Sequence, residues 1–290
     1  MTLEQLRVFV AVAEREHVTR AAQALNLTQS AVSAAIATLE TRHGVHLFHR
    51  VGRRIELTDI GRVFLGEARA VLGRAASAQR TLDEFAGLER GTLTLVASQT
   101  IAGYWLPPLL ARFHTRYPGI AVSLSTANSE QAAAQVLDGS AELGFIEGPV
   151  NDPALARWTV GEDRLALVGT TPAPASTTAA DAGWLRAAPW VLREEGSGTR
   201  AAFEAALASF GLAPGDLDIV LTLPSNEAVR SAVVAGAGYT VISTLVVAPF
   251  LETKALHRIP FDLAPRPFFG LRHKERYRSK AGDALLDCIT

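Results

Sequence analysis

Apolar residues recur at helical spacing from the start of the chain. Leu3, Leu6, Phe9, Val10 and Ala13 fall on one side and predict a first amphipathic helix. A short second helix carries Ala21, Ala22 and Leu25, with Thr19 as its expected cap and Asn26-Leu27 as its stop, since asparagine tolerates the turn that closes a helix. Thr28 is the expected cap of a third helix whose inward stripe is Ala31, Val32, Ala35, Ile36 and Leu39. Its opposite side shows Gln29, Ser30, Ser33, Ala34, Ala37 and Thr38, which are short or polar and almost uncharged. A helix that faces only water normally carries Lys and Glu there. A surface that slides into a DNA groove needs small side chains and a few hydrogen-bonding groups for base edges. Gly44 to Thr58 then reads as two short strands around Val51-Gly52-Arg53, the pattern of a wing.

From Thr58 the pattern predicts one long helix to about residue 89, with Val63, Ala70, Val71, Ala78, Leu82 and Phe85 as an apolar seam. A stripe this long cannot be buried on one small domain, so pairing with a second chain is expected; packing on the protein's own C-terminal half is the alternative. After Gly91 short apolar runs alternate with helical patterns: Leu93 to Ala97, Ile120 to Leu124, Ala141 to Ile146, Leu165 to Gly169, Trp190 to Leu192, Ile219 to Leu221 and Tyr239 to Ile242. Strand then helix, repeated, predicts an α/β domain with mostly parallel sheets, in which ligands bind beyond the carboxyl ends of the strands.

Several strand ends carry suitable chemistry. Ser98, Gln99 and Thr100 follow the first strand and precede a helical stretch from Gly103 to Tyr117. Gly196, Ser197, Gly198 and Thr199 let the backbone approach a ligand at the start of another helix, and Asn226 opens a third. Helix amino ends beside hydroxyls favour an anion. Arg200 reads either as the ligand's counter-charge or as a solvated helix residue, and Glu147 either as a cleft residue or as a polar strand end.

Composition narrows the classes. With 290 residues, 48% hydrophobic and 20% charged, the chain is expected to fold into more than one globular unit. A net charge of −1 means that any DNA binding must come from local geometry. No apolar run approaches the roughly 20 residues that cross a bilayer, and the start lacks a basic region followed by an apolar stretch, so a cytoplasmic protein without a membrane partner is expected. The single cysteine, Cys288, fits a reducing compartment. Enzyme chemistry is not expected. Gly196-Ser-Gly-Thr lacks the lysine of a nucleotide-binding loop, and neither Ser98 nor Ser197 sits in a G-x-S-x-G elbow. His43, His46 and His49 lack the second set of ligands of a zinc site, so neither metal nor cofactor is expected.

The run Leu3 to Gly61 resembles the winged helix-turn-helix of LysR-type transcriptional regulators. The likeness rests on Thr19-Arg-Ala-Ala-Gln-Ala-Leu-Asn-Leu-Thr-Gln-Ser-Ala-Val-Ser, Leu39-Glu, Gly44-Val-His-Leu-Phe-His-Arg and Leu57-Thr-Asp-Ile-Gly. Residues 91 to 290 resemble the effector domain of the same family more softly. The resemblance implies an α+β winged helix-turn-helix domain at 1–57, a linker and dimerisation helix at 58–90, and a periplasmic-binding-protein-like α/β effector domain at 91–290. Within that domain it implies subdomain I at about 91–161 and 267–290 and subdomain II at about 162–266. It further implies a regulator that binds double-stranded DNA and a small-molecule effector, as a homodimer through the linker helix and as a tetramer of two dimers. The sequence departs from the family at Ser30, where proline is usual, and at Ala34 and Ala35, where larger polar or basic residues are usual. Thr28, Gln29, Ser30 and Ser33 remain as candidate DNA-contacting residues of the helix. Arg53 is the candidate for the minor groove, with Arg50 and Arg54 for phosphates, so recognition is expected to lean on DNA shape. Ser98 to Thr100, Gly196-Ser-Gly-Thr-Arg and Ser225-Asn-Glu resemble members that regulate sulfur or carbon-fixation genes, which implies a small oxyanion or a phosphorylated metabolite. The competing reading is a cytosolic binding protein with a non-functional DNA domain.

Overall fold

The computed structural model describes residues 1–51, 54–85, 91–172 and 180–289. The chain divides into two compact units, Met1–Ala86 with Leu137–Ala141, and Gly87–Val136 with Glu142–Thr290.

In the first unit, α1 (Leu3–Arg15) starts at a capping box: Thr2 Oγ1 accepts from the Gln5 amide, and Gln5 Oε1 accepts from the Thr2 amide at 2.9 Å. The cap of α2 (Val18–Ala24) is His17, not the expected Thr19. His17 has extended backbone and its Nδ1 accepts from the Arg20 amide, which leaves Thr19 inside the first turn. Asn26 closes the connection in the left-handed region (φ 54°), and Thr28 then caps α3 (Gln29–His43) by accepting from the Ala31 amide. Leu6, Phe9, Ala13 and Leu39 form one side of the core with Leu47 and Leu57, while Val8, Val12, Ala21, Ala22 and Val32 form the other. The Phe9 ring lies 5.5 Å from that of Phe48 and 4.8 Å from that of Phe64. Leu3 and Ala31, expected inside, are exposed; each sits in the first turn of its helix.

β1 (Phe48–Val51) and β2 (Arg54–Leu57) pair antiparallel as the wing. Glu40 Oε1 accepts from the Leu47 amide at 2.7 Å and from the Phe48 amide at 3.2 Å, tying the last turn of α3 to the wing's first strand. Thr58 donates to the His46 carbonyl and accepts from the Gly61 amide, so it starts α4 (Asp59–Phe85) against the same strand. This helix of 27 residues is about 40 Å long. Phe64, Leu65, Ala68 and Leu72 pack into the winged-helix core. Of the expected seam, Val63, Val71, Ala78 and Leu82 are exposed and Ala70 is half-buried, with Val63 at 74% and Leu82 at 67%.

The second unit holds a five-stranded sheet in the order β4-β3-β5-β12-β6. Here β3 (Gly91–Ser98) is parallel to β4 (Ile120–Ala127) and β5 (Leu143–Ile146). β12 (Arg266–His273) runs antiparallel to β5 and to β6 (Leu155–Asp163). A helical segment leaves β3, passes through a π-helical turn at Ile101–Trp105, and continues as α5 (Leu106–Arg116). α6 (Ser129–Asp138) follows β4, and α11 (Lys280–Ile289) closes this core beside Leu93, Phe113 and Phe145.

Beyond β6, a three-stranded sheet centres on β7 (Leu165–Gly169), flanked antiparallel by β10 (Thr240–Ser243) and β11 (His257–Ile259). After α7 (Ala182–Ala187), β8 (Pro189–Arg193) pairs in parallel with β9 (Asp218–Leu223). α8 (Gly198–Ala208), α9 (Asn226–Val234) and α10 (Thr244–Glu252) cover these strands. The expected mostly parallel sheets are therefore mixed. The antiparallel ladders come from β6, β11 and β12, which the apolar runs do not reveal, and from β10; β6 and β12 carry the chain away from the first sheet and back to it, so they must run in opposite directions.

Candidate functional site

In the first unit, α3 turns Val32 and Leu39 inward and leaves Gln29, Ser30, Ser33, Ala34, Ala37 and Thr38 exposed. The small, uncharged side of the helix thus faces outward from Gln29 to Thr38. Two of its polar groups are already held: Thr38 donates to the Ala34 carbonyl, and Gln29 Oε1 accepts from Thr19 Oγ1 at 3.4 Å, linking α2 to α3. Thr28 and Ser30 hydroxyls lie 3.0 Å apart at the helix start. In the wing, Arg50 and Arg54 belong to β1 and β2, whereas Arg53 lies outside the described residues. His43, His46 and His49 are exposed, and no group of potential metal ligands occurs among the described residues. His49 Nε2 lies 3.7 Å from Glu56 Oε2 across the wing.

In the second unit the carboxyl ends of β3, β4 and β5 meet the starts of α8 and α9. Ser98 ends β3, buried. The next two residues are already engaged: Gln99 Nε2 donates to the Pro224 carbonyl and Gln99 Oε1 accepts from the Asn226 amide, each at 2.8 Å. Thr100 Oγ1 accepts from Asn226 Nδ2 at 3.1 Å, and Asn226 Oδ1 accepts from Arg193 Nη1 at 2.6 Å. This stitch joins the end of β3 to the start of α9, which Ser225 caps. A ligand that reaches Gln99 or Asn226 must replace some of these bonds.

The opposite side of the cleft is built on glycine. Gly196 adopts φ +80°, and its carbonyl accepts from the Glu130 amide, while the neighbouring Glu195 carbonyl accepts from Asn128 Nδ2. Ser197 caps α8. At Gly198 a Cβ would stand 2.7 Å from Gly148 N, 2.8 Å from Ser129 Oγ and 2.9 Å from Glu147 Cγ, so only glycine lets the start of α8 close on the ends of β4 and β5.

Charges lie deep in this cleft. Arg266 meets Asp163 in a close ion pair, donates to Thr199 Oγ1 at 3.0 Å, and stands 3.6 Å from Glu147 Oε1. Ser243 donates to Asp163 Oδ1. Arg193 pairs bidentately with Glu194, at 2.7 and 2.8 Å. Burial works to raise Glu194, but the Arg193 hydrogen bonds and charge outweigh it and hold that carboxyl below its ordinary value. Glu147 is the opposite case: burial pushes it above the usual carboxylate range, and the nearby Arg266 only partly opposes the shift. Arg200 is neither a free counter-charge nor a solvated residue, since its Nε donates to Glu204 Oε1 at 2.7 Å and its side chain is 13% exposed.

Ser98, Thr100, Glu147, Ser197, Thr199 and Asn226 are thus brought together as buried polar residues. Sequence reasoning missed Asn128, Ser129, Asp163, Arg193 and Arg266 in the same cluster. The first two follow β4 as Gln99 and Thr100 follow β3, and the strand-end rule finds them once applied there. Nothing local in the sequence marks the other three as buried.

Comparison with known proteins agrees with both units. Residues 3–62 match the family described as bacterial regulatory helix-turn-helix protein, lysR family, and residues 86–290 match the LysR substrate binding domain. The HTH-type transcriptional regulator YeiE of Escherichia coli (strain K12) is 34% identical over 289 residues, covering 99% of this chain and 96% of that protein. The crystal structure of full-length CbnR complexed with its target DNA superposes with a TM-score of 0.68 at 24% identity, covering 100% of this chain and 99% of that one. The Synechocystis PCC6803 CcmR regulatory domain in complex with 2-PG superposes with a TM-score of 0.62 at 25% identity, over 69% of this chain and 96% of that one. A DNA-reading unit and an effector-binding unit on one chain, each matched by its own family pattern, have one common explanation: the protein belongs to the LysR family of DNA-binding transcriptional regulators, and it is not an enzyme.

Proposed function

We propose that this regulator reads DNA with the exposed side of α3 and the wing, and is switched by a small oxyanion or phosphorylated metabolite in the cleft of its second unit. The first part is carried by one observation: Gln29, Ser30, Ser33, Ala34, Ala37 and Thr38 are all exposed on a helix whose other side is core. Thr28, Gln29, Ser30 and Ser33 supply hydrogen bonds in the major groove, and Arg50, Arg53 and Arg54 meet phosphates or the minor groove. With alanines at 34 and 37, base readout is sparse and DNA shape carries more of the specificity.

The proposed division is a DNA-binding domain at 1–57, a linker helix at 58–90 and an effector domain at 91–290, with its two subdomains parting near 162 and 266. The exposed stripe of α4 pairs two chains. An apolar hollow of about 230 Å³ lined by Leu39, Val45, Ile60 and Phe64 adjoins that stripe and supports a second helix seating there. Two dimers then hold and bend one stretch of DNA, and the effector shifts their placement by binding one arrangement better. The effector reading rests on Ser98, Gln99, Thr100, Glu147, Gly196, Ser197, Gly198, Thr199 and Asn226, and gains support from the 2-PG complex of the CcmR regulatory domain. A cytoplasmic location follows from the DNA partner; no helix among the described residues is long and apolar enough to cross a membrane.

The test is fluorescence anisotropy with the gene's own upstream DNA, comparing the wild type with Ser33→Glu. An exposed carboxylate facing phosphates should weaken binding at least tenfold while the melting temperature stays within the scatter of surface substitutions. Undiminished affinity would remove α3 from the interface.

A further inference from the structure

Four buried polar atoms at the ends of neighbouring strands have no hydrogen-bond partner among the described residues: Ser98 Oγ on β3, Ser129 Oγ after β4, Glu147 Oε2 after β5 and Arg266 Nε on β12. Their residues are between 2% and 6% exposed. They form one cluster, not four scattered defects. A Cβ at Gly198 would touch both Ser129 and Glu147, Arg266 stands 3.6 Å from Glu147, and Ser98 aligns with Ala127, two residues before Ser129. Native proteins rarely leave buried groups unpaired, and a cluster of them marks where a ligand supplies the missing bonds.

The charge arrangement selects that ligand. Arg266 is matched to Asp163, and Arg193 to Glu194. Two arginines thus face three carboxylates, and Glu147, which reaches only Arg266 and at 3.6 Å, is the most weakly matched acid. The charged groups that face it are Arg266 from β12, Asp163 from β6 and Arg193 from β8, with the Thr100 hydroxyl from the helical segment after β3. Burial disfavours its charged form, and a fully ionised anion placed beside an ionised Glu147 would meet a like charge at short range in a site of low dielectric. A proton removes that conflict. It turns Glu147 Oε2 from an acceptor facing an oxyanion into a donor, alongside the two serine hydroxyls and Arg266 Nε.

We propose that the cleft takes up a small oxyanion together with one proton from solvent, and that Glu147 holds this proton facing the ligand. An oxyanion that carries its own hydroxyl satisfies the same geometry by donating to Glu147. Glu147 thereby sets which protonation state of the effector is sensed. The inference rests on the oxyanion reading of the cleft given above.

The experiment is isothermal titration of the full-length protein with sodium sulfate and, separately, inorganic phosphate, at constant ionic strength. Each is run at pH 7 and pH 9, in two buffers of different ionisation heat. Sulfate carries no proton in this range, so protons taken up with it belong to the protein. Wild type should take up a proton with sulfate wherever the free Glu147 is ionised, so uptake and the fall in affinity, up to tenfold per pH unit, should grow from pH 7 toward pH 9. Glu147→Gln keeps the neutral shape and should bind sulfate with no proton uptake and no fall in affinity over that range. Sulfate binding by the wild type with no proton uptake and no fall in affinity up to pH 9 overturns the proposal and leaves the oxyanion reading standing. Uptake that persists in Glu147→Gln overturns it too, by placing the proton elsewhere. Binding of neither anion overturns the oxyanion reading and the proposal together.

Discussion

Gly198→Ala perturbs the cleft at its tightest point. The added Cβ would lie 2.7 Å from Gly148 N, 2.8 Å from Ser129 Oγ and 2.9 Å from Glu147 Cγ. Side-chain tips can swing away, but Gly148 N is backbone, so the start of α8 and the end of β5 must separate by several tenths of an ångström. Overpacking of this kind costs about 1–3 kcal/mol. In a domain of this size, that lowers the melting temperature by roughly 2–4 °C per kcal/mol. The same strain acts only when the walls are together, so an effector that needs the closed cleft should bind roughly 5–150-fold more weakly. Gly103→Ala is the control, since a Cβ there meets nothing within 4 Å. Differential scanning fluorimetry and titration of sulfate into both variants read the two effects. Equal melting temperature and anion affinity for Gly198→Ala and wild type would refute the argument that glycine is required for closure.

Three further outcomes follow from other parts of the molecule. Val63→Glu combined with Leu82→Glu puts two charges on the exposed stripe of α4 and should shift the protein toward monomer in sedimentation at micromolar concentration; a dimer of unchanged strength would show that the stripe is not the interface. Phe9→Ala empties a fully buried site between Phe48 and Phe64 and should cost about 3–5 kcal/mol, measured by urea unfolding; a loss under 1 kcal/mol would mean the core collapses onto the hole. Glu147→Gln should change the pH dependence of stability in a definite sense. Burial raises Glu147 in the folded state, so the stability linked to its neutral form is complete below the unfolded value of about 4.3 and is lost as pH rises through the folded value. The melting temperature of the variant relative to wild type should therefore climb as pH rises from 4; a difference that stays flat or falls would show that Glu147 ionises without cost.

What could be read from the sequence was set by distance along the chain. The three helices and the wing of the first unit are defined by neighbours within a few residues, so apolar spacing, Asn26 and Thr28 marked them. The one misplaced cap, at Thr19, arose because a histidine ring nitrogen at position 17 does what a hydroxyl usually does. β12 was hidden for another reason. Arg266 to His273 mixes arginines with phenylalanines because one side packs in the core while Arg266 reaches into the cleft, so neither alternation nor a continuous apolar run appears.

The cleft follows the same logic. Ser98, Glu147, Ser197 and Thr199 were visible because strand ends and helix starts are local features. The residues that set its electrostatics were not, because what places them in the cleft spans the chain: Arg266 meets Asp163 across 103 positions, and Arg193, whose carboxylate partner Glu194 is its neighbour, is held there by Asn226 across 33. In the sequence each of these charges is indistinguishable from a solvated one. The pairing changes what the site is. Read from strand ends alone, the cleft is a set of hydroxyls and helix amides open to any anion. With two arginines facing three carboxylates, Glu147 is the surplus acid, and under the proposal made above the preference for an anion becomes conditional on a proton. On that proposal, selectivity is decided largely by contacts that sequence spacing cannot display, built on a frame that it can.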